Sequence, residues 1–498
     1  MLRDRVVIIG AGIGGLAAAL TLASRGHDVM VLERASGPGG KMREVEVAGR
    51  RLDAGPTVLT LRRVFEQLFA EAGVDLASTI PMTKSDIIAR HAWPDGGRLD
   101  LYADRARSAD AIAEFAGKGA ARGYLEFCAR AQRVYEFLEP SFIQRPRPGV
   151  SDLIRFAGLG GMGELWAIAP FKSLWDELGR YFPDNRLRQL FARYATYCGS
   201  SPFLAPATLM LVAHVEQEGV WLIDGGVHAL ALACARVAEL AGAKFRYGAE
   251  VQEIVVRDGR VNGVRLSSSE QIDAAAVISN GDVAALSRGL LGHAVRTAVS
   301  PDAIGPASLS AATWCVVARA RGFPLLHHNV FFSASSTEEF RDIFDRSRLP
   351  RDPTVYICAQ DRRGEQNTSP QHLERMLVIV NAPTSVTPSA FTVTELERCR
   401  DAMMRTVERC GLQLSIKGMA TTMPPDFAQL YPGTNGALYG AASHGWTSSF
   451  RRPGARSRVP GLYLTGGSVH PGPGLPMAAL SGRMAAMAYL TDLPSTSR

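Results

Sequence analysis

Several features that define other protein classes are scarce in this chain of 498 residues. Its seven cysteines are scattered, odd in number and without a Cys-x-x-Cys pair, which argues against a disulfide framework and against a metal site. No run of about 18 apolar residues is present, so we expect no membrane-spanning helix. The net charge of +7 contains no block of lysine or arginine, which excludes the usual pattern of a nucleic-acid partner.

No signal peptide precedes the first predicted strand, so we expect a cytosolic protein. A modestly basic chain with a pI near 9.1 suits an anionic membrane surface better than a nucleic acid. Hydrophobic residues make up 46% and charged residues 21% of the sequence, a composition typical of globular domains. The length predicts two or three domains, which discontinuous segments can build and which can bury a large apolar ligand.

The most informative motif lies at the start of the chain. The apolar run 6–9 predicts a strand buried on both faces, and Gly10, Gly12 and Gly15 follow it directly. In a dinucleotide fingerprint the first glycine allows a tight turn, the second admits a pyrophosphate to the backbone, and the third lets the next helix approach the sheet. Ile13 and Gly14 then begin a helix whose N-terminal N–H groups face the phosphates.

An acidic residue completes this unit. Glu33 ends the second predicted strand, 18 positions beyond Gly15, and is placed to accept hydrogen bonds from ribose hydroxyls and to repel a 2′-phosphate. The sequence therefore predicts an ADP-containing dinucleotide. The same glycine spacing recurs at Gly158, Gly160 and Gly163 without a paired strand and acid, and there it predicts a flexible loop or a helix kink.

The residues that follow Glu33 distinguish between cofactors. Arg34 is followed by the pair Gly39-Gly40 and by Lys41, and later by the run Gly55, Pro56 and Thr57. This stretch resembles the two-dinucleotide-binding-domain flavoproteins, a superfamily that includes amine oxidases and carotenoid desaturases. The resemblance implies that these residues contact FAD. A glycine turn with a solvated lysine is the alternative interpretation of the residues themselves.

The chain departs from the βαβ pattern and later returns to it. Residues from about 85 to 215 read as mostly helical, a hairpin follows from Val251 to Leu266, and a glycine-rich strand and helix close the chain. We predict an α/β flavoprotein with a Rossmann-like FAD domain and a discontinuous α+β substrate domain, an amine-oxidase-like arrangement. The predicted FAD domain comprises 1–85, 215–285 and 456–498, and the substrate and membrane-associating domain comprises 86–214 and 286–455.

The last glycine-rich segment carries the sharpest resemblance. The run from His470 to Met477, His-Pro-Gly-Pro-Gly-Leu-Pro-Met, resembles the C-terminal signature of bacterial phytoene-type carotenoid desaturases. This motif, which is preceded by Gly466-Gly467, is similar to that of the 1-hydroxycarotenoid 3,4-desaturases, also called methoxyneurosporene dehydrogenases. The resemblance implies FAD contacts at Val251, Gly466, Gly467, Pro476 and Met477. The helix that follows can present its N-terminus to the pyrimidine end of the flavin.

The resemblance also implies a reaction. The flavin N5 would accept hydride from an allylic carbon, a base or water would take the neighbouring proton, and a conjugated double bond would form. His470 is a candidate participant and His444 another, although a single histidine is more often structural. Tyr197 and Trp446 are candidates for the substrate channel, with a core or surface role as the alternative.

A carotenoid must enter from a lipid bilayer. Aromatic and aliphatic residues between Phe142 and Arg193, among them Leu165, Trp166 and Ile168, alternate with cations as in an interfacial helix, although a core-facing helix is equally compatible. We therefore expect peripheral attachment to the cytoplasmic side of the inner membrane, with contact to membrane lipid. Without a second dinucleotide unit, oxygen or a quinone is the expected electron acceptor.

Other functions stay open at the level of the sequence. A phytoene desaturase, a carotenoid ketolase or isomerase, or an amine oxidase would use the same cofactor. An amine oxidase is expected to hold an aromatic cage near the flavin, where this chain offers histidine and proline. A non-catalytic prenyl-lipid binder shares the fold, but it need not retain the glycines and Glu33.

Overall fold

The computed structural model describes residues 5–158, 171–364, 372–384 and 391–493. The described strands are, in chain order, β1 Val6–Ile9, β2 Val29–Glu33, β3 Glu44–Val47, β4 Arg50–Asp53, β5 Met82–Lys84, β6 Ile87–Ala92, β7 Arg98–Tyr102, β8 Trp221–Ile223, β9 Lys244–Tyr247, β10 Val251–Arg257, β11 Arg260–Leu266, β12 Gln271–Asp273, β13 Ala276–Ser279, β14 Ser310–Arg321, β15 His328–Phe331, β16 Val355–Ala359, β17 Glu374–Ala382, β18 Gln413–Thr422 and β19 Leu462–Leu464.

Helices connect and cover these strands. The described α-helices are α1 Ile13–Ala23, α2 Arg62–Ala70, α3 Leu76–Thr79, α4 Arg105–Ala116, α5 Lys118–Leu138, α6 Val150–Ala157, α7 Leu174–Leu178, α8 Asn185–Ala192, α9 Leu211–Glu218, α10 Val227–Leu240, α11 Val283–Ser287, α12 Ser336–Phe340, α13 Val393–Arg409, α14 Pro424–Leu430, α15 Ser448–Arg451 and α16 Leu475–Asp492. Within these ranges no helix is both long and apolar enough to cross a membrane.

A five-stranded parallel sheet forms around β1, in the order β19-β13-β1-β2-β9. Alternate residues of β1 point to opposite faces. Val6 and Ile8 pack with α1, α10 and α16, whereas Val7 packs with the antiparallel strands β10 and β11 on the other face. Both faces of β1 are therefore buried, which is why the sequence shows a continuous apolar run there.

A second sheet has seven strands in the order β18-β14-β17-β16-β15-β6-β7. Only the β15–β6 pair within it is parallel. All strands of this sheet come from the segments 86–214 and 286–455, and those of the five-stranded sheet come from 1–85, 215–285 and 456–498. The hairpin β3–β4 packs its buried Val47 and Leu52 against Cys315 and Leu377 of the seven-stranded sheet. This contact packs the hairpin against the seven-stranded sheet, and the hairpin forms part of the wall of a large cavity.

The described part of the inserted segment, from 85 to 215, is mostly helical, as the sequence predicts. It begins, however, with two strands that the sequence did not indicate, β6 and β7, which join the seven-stranded sheet. Five of the six residues in β6 are buried, so the strand lacks the alternation that signals a half-exposed strand. The turn 94–97 between the strands, Pro-Asp-Gly-Gly, was the available hairpin signal. Gly160, Gly163, Leu165, Trp166 and Ile168 lie outside the described residues.

Candidate functional site

One cavity of about 1470 Å³ runs between the two sheets. Its volume exceeds the roughly 300–1,000 Å³ of an ordinary small-molecule site, so it can hold two ligands side by side. The carboxyl ends of β1, β2 and β13 open into it through Ile9, Glu33 and Asn280. Ligands of open parallel sheets bind at this edge of the strands.

The glycine turn after β1 is tightly packed. A Cβ at Gly14 would lie 2.6 Å from Oγ1 of Thr465, and one at Gly15 would lie 2.1 Å from the carbonyl oxygen of Gly10. Gly10, Gly12, Ile13 and Gly14 line the cavity, whereas Gly15 does not. Gly15 therefore serves the approach of α1 to β1, and the others leave room for a ligand beside the backbone.

Glu33 is held rigidly at the cavity wall. Its Oε2 accepts a hydrogen bond of 2.7 Å from the N–H of Ala11, and its Oε1 accepts one of 2.8 Å from the N–H of Ala35. The side chain lines the cavity. Because each carboxylate oxygen has a further acceptor position, Glu33 can also accept from two adjacent ribose hydroxyls.

The second glycine pair lies directly against the first turn. Gly12 and Gly39 form a parallel bridge, and a Cβ at Gly40 would come within 3.1 Å of the Cα of Gly12. A Cβ at Gly55 would lie 1.8 Å from the carbonyl oxygen of Lys41. Gly40, Lys41, Gly55, Pro56 and Thr57 all line the cavity. Two segments separated in sequence thus form one continuous backbone surface.

Lys41 and Arg34 line the cavity, and both also donate hydrogen bonds to backbone carbonyls of a distant segment. The Nζ of Lys41 donates a 2.6 Å hydrogen bond to the carbonyl of Leu438, and burial lowers the pKa of Lys41 although the carboxylate of Asp282 opposes this shift. Arg34 donates through Nη2 to the carbonyls of Gln429 and Leu430. Both side chains therefore hold the segment 429–438 beside the glycine turns of the cavity wall.

The remaining predicted FAD contacts, which come from two later segments of the chain, also line the cavity. Val251 begins β10 and lines the cavity beside Glu250 and Ala249, whose N–H donates to the carbonyl of Glu33. Gly466, Gly467, Pro476 and Met477 also line it. The last two lie in the first turn of α16, so two long helices, α1 and α16, direct their N-termini at the cavity.

These features fit FAD. The backbone N–H groups at the start of α1 suit a pyrophosphate, Glu33 suits a ribose, and the N-terminus of α16 suits the electron-rich edge of a flavin. Added Cβ atoms at Gly12, Gly14 and Gly40 would collide with the backbone or side chains of the same surface. The FAD-contact residues predicted from the sequence all line the cavity, apart from Gly15.

Neither candidate histidine lines the cavity. The ring of His470 is buried, packs edge-on against Phe142 at 4.9 Å between ring centroids, and bonds through Nε2 to the carbonyl of Phe142 at 3.1 Å. Burial lowers its pKa to about 4, so the ring is neutral at neutral pH. His444 accepts from the N–H of Ser201, and burial likewise lowers its pKa to about 4. Both rings therefore have structural partners.

The two predicted channel residues occupy different parts of the cavity wall. Tyr197 lies deep, donating a 2.5 Å hydrogen bond to Oε1 of Glu216. Trp446 lines the same cavity but is 39% exposed and packs edge-on against Phe171, which is 64% exposed. Tyr197 is thus part of an inner polar wall, and Trp446 stands at the mouth.

Several residues of the site had weaker sequence signals. The amide of Asn280 contacts the glycine turn, and its Nδ2 donates to the carbonyl of Gly10 at 3.3 Å. Its position directly after β13 was the available signal, because the carboxyl ends of parallel strands meet at one edge. Arg193, Tyr356 and Glu339 also line the cavity. Distant segments bring these three together, and no local spacing indicates them.

Known proteins resemble this chain along its whole length. A family model described as flavin containing amine oxidoreductase matches residues 13–313. The hydroxyneurosporene desaturase of Rubrivivax gelatinosus is 50% identical over 497 residues, covering 99% of this chain and 94% of that protein. The hydroxyneurosporene desaturase of Cereibacter sphaeroides is 42% identical over 499 residues, covering 99% of each chain.

Solved structures share the fold at low identity. An oxidoreductase from Methanosarcina mazei superposes with a TM-score of 0.61 at 16% identity, covering 98% of this chain and 100% of that one. The fold class predicted from the sequence, an amine-oxidase-like flavoprotein, is therefore confirmed, and the family description confirms the prediction of a flavin cofactor. The resemblance to carotenoid desaturases is confirmed by the relatives.

Proposed function

Since this chain belongs to the flavin-containing amine oxidoreductase family and, within it, to the bacterial carotenoid desaturases, we propose that it introduces the 3,4 double bond into an acyclic 1-hydroxycarotenoid with FAD as cofactor. Full-length identity of 50% to a hydroxyneurosporene desaturase is the observation that carries the proposal. The sequence motifs predicted the same reaction.

The cavity suits a long hydrocarbon beside a dinucleotide. Beyond the glycine surface its wall is made largely of aliphatic and aromatic side chains. These include Leu138, Phe142, Leu153, Leu209, Val212, Val330 and Phe332. Such a wall binds a polyene through burial of apolar surface.

FAD, when bound, supplies the hydride acceptor for oxidation of the carbon–carbon bond. The chain's own residues hold the reactants and exclude water. The α1 and α16 N-termini place partial positive charge at two ends of the cofactor site. Thr57 lies where the second glycine segment meets the substrate side, and its Oγ1 accepts a 2.8 Å hydrogen bond from the hydroxyl of Tyr356.

Pigment analysis tests the proposed reaction. The chain is expressed in cells that accumulate phytoene, neurosporene or 1-hydroxyneurosporene, and the products are followed by absorption maxima and mass. Loss of two hydrogens and a red shift with the hydroxylated substrate are expected. Conversion of phytoene would assign the protein to an earlier desaturation, and gain of oxygen would indicate a ketolase or oxygenase. No conversion by flavin-loaded protein would contradict a desaturase altogether.

We also propose that the cavity mouth docks on the cytoplasmic face of the inner membrane. Val150, Ile154, Phe171 and Trp446 line the cavity, and each is between 39% and 64% exposed. An apolar rim around the entrance of an apolar cavity is typical of enzymes that draw substrate from lipid. Arg155, whose side chain is 83% exposed, adds a cation on the same helix, α6.

Flotation with lipid vesicles tests the docking surface. Phe171→Asp combined with Trp446→Asp is expected to reduce binding to anionic vesicles and to slow conversion of vesicle-borne carotenoid. Leu240→Asp is the matched control, because Leu240 is 68% exposed at the end of α10 and does not line the cavity. Equal binding by all three proteins would contradict the assignment of this surface.

We propose oxygen or a membrane quinone as the electron acceptor. A quinone is lipid-soluble and can use the same mouth as the carotenoid. Anaerobic assays with and without an added short-chain quinone distinguish the two acceptors. Turnover restored by the quinone indicates a quinone, and turnover restored only by air indicates oxygen. Turnover that needs neither would contradict both.

A further inference from the structure

A cluster of polar side chains interrupts the apolar wall of the cavity. Arg193, Tyr197, Glu216 and Tyr356, which we term the polar cluster, line both the main cavity and a small adjoining cavity of about 10 Å³. In a site for a hydrocarbon, buried polar groups carry a cost unless they find partners. Their presence therefore points to a polar atom on the ligand.

Hydrogen bonds within the polar cluster leave part of it unused. Tyr197 donates to Oε1 of Glu216 at 2.5 Å, and Tyr194 donates to Oε2 of Glu216 at 2.8 Å. Arg193 donates through Nη1 to the hydroxyl of Tyr197. Its Nη2 is 3.9 Å from Oε1 of Glu216, beyond hydrogen-bond distance.

The guanidinium of Arg193 is the unsatisfied member. Its side chain is 10% exposed, yet Nε and Nη2 donate to no group among the described residues. Buried N–H donors are nearly always paired, and those of a charged group carry a large penalty when they are not. The Cζ of Arg193 also lies 5.4 and 5.2 Å from the ring centroids of Tyr194 and Tyr197, and Nε and Nη2 are left without a hydrogen-bond acceptor from the described part of the chain, beside the small adjoining cavity.

The polar cluster lies beside the expected reaction centre. Tyr356 donates to Thr57, which belongs to the glycine segment predicted to contact the flavin, and the next residue, Val58, lines the small cavity. In a 1-hydroxycarotenoid only one methylene carbon separates the hydroxyl-bearing C1 from C3. A group that binds the hydroxyl must therefore lie next to the position where C3 and C4 are oxidised.

We infer that the polar cluster binds the tertiary hydroxyl of the substrate and that Arg193 is its specificity-determining residue. This inference rests on the proposed function. The hydroxyl oxygen accepts from the free N–H groups of Arg193, and the hydroxyl hydrogen is donated to the Glu216 carboxylate. A carotenoid end without the hydroxyl leaves the same buried donors unpaired, and so it is rejected.

Steady-state kinetics with two substrates tests the inference. The ratio of kcat/KM for 1-hydroxyneurosporene to that for neurosporene measures the preference for the hydroxyl. Arg193→Met keeps an unbranched apolar stem but removes the guanidinium and its donors. We expect it to lower this ratio by about 10- to 100-fold, mainly by raising KM for the hydroxylated substrate.

Two further variants keep the test decisive. Tyr197→Phe removes one hydroxyl from the polar cluster and is expected to lower the same ratio by about 2- to 10-fold, so it serves if Arg193→Met does not fold. Arg188→Met is the control, because Arg188 packs over Trp175 away from the cavity. Flavin content and thermal midpoint are measured for every variant.

The outcomes separate this inference from the proposed function. An unchanged ratio in Arg193→Met and Tyr197→Phe, or an equal loss on both substrates, would overturn the inference and indicate that a buried water serves Arg193. A volume of 10 Å³ is about that of one water site. A wild-type enzyme that does not convert the hydroxylated carotenoid would instead overturn the proposed function.

Discussion

At the scale of single residues, Gly12 decides whether the dinucleotide can approach the backbone. A Cβ there would lie 2.8 Å from Nδ2 of Asn280, and a larger side chain would also fill the space above the turn. Gly12→Val should therefore abolish retention of FAD, measured as the ratio of flavin to protein absorbance after purification. Gly119→Val is the control, because a Cβ at Gly119 meets no atom of the described residues within 4 Å. Normal flavin occupancy in Gly12→Val would refute the assigned cofactor site.

A second residue-scale prediction concerns acid stability. Burial lowers the pKa of His470 to about 4, against about 6.5 in the unfolded chain. Below pH 6.5 His470 therefore becomes protonated in the unfolded chain but stays neutral in the folded protein. The contribution of this residue to stability falls by about 1.4 kcal/mol per pH unit, down to about pH 4.

Urea unfolding at several pH values checks this contribution. Between pH 7.5 and 5, the midpoint of wild-type protein should fall more steeply than that of His470→Gln. His293→Gln, a change at an exposed position, should follow the wild type. Identical pH dependence in wild type and His470→Gln would show that the ring is accessible to protons in the folded state.

At the scale of helices and strands, the contact between α1 and α16 holds two sides of the cofactor site together. A Cβ at Gly482 would lie 2.1 Å from the carbonyl oxygen of Gly14 and 2.9 Å from the Cβ of Ala17. Gly482→Ala should force the helices apart, destabilise the fold by about 1–3 kcal/mol and weaken FAD binding.

Thermal melting with and without added FAD measures both effects. Gly119→Ala on α5 is the matched control. A methyl group there would meet no atom of the described residues within 4 Å, and alanine favours the helix. A melting temperature in Gly482→Ala equal to that of wild type would mean that the helices tolerate a wider separation.

The sequence predicted elements well where their determinants are local. The unit β1-α1-β2 lies within 28 consecutive residues, 6–33, and its apolar run, glycines and acid all act at short range. The pairing of β6 with β15 joins residues such as Arg90 and Asn329, which no short-range pattern connects. For the same reason the sequence indicated the glycine surface of the site but not Arg193 or Tyr356, whose roles depend on tertiary packing.

At the scale of the whole molecule, the net charge of +7 attracts the protein to anionic lipid over a long range, in addition to the contact made by the apolar rim of the mouth. Binding to vesicles that contain anionic lipid should therefore exceed binding to zwitterionic vesicles, and added salt should weaken the former most. Flotation at low and high ionic strength measures this dependence. Salt-independent binding to both vesicle types would mean that the apolar contact alone holds the protein.

The proposed docking of the rim formed by Phe171 and Trp446 on a membrane has a kinetic consequence. An enzyme that loads its substrate through such an entrance encounters it in two dimensions, at a concentration set by the mole fraction of carotenoid in the bilayer. Diluting the carotenoid with inert phospholipid should then slow turnover even when the amount of carotenoid per millilitre is unchanged. The rate would follow the surface density of carotenoid in the leaflet and not its bulk concentration.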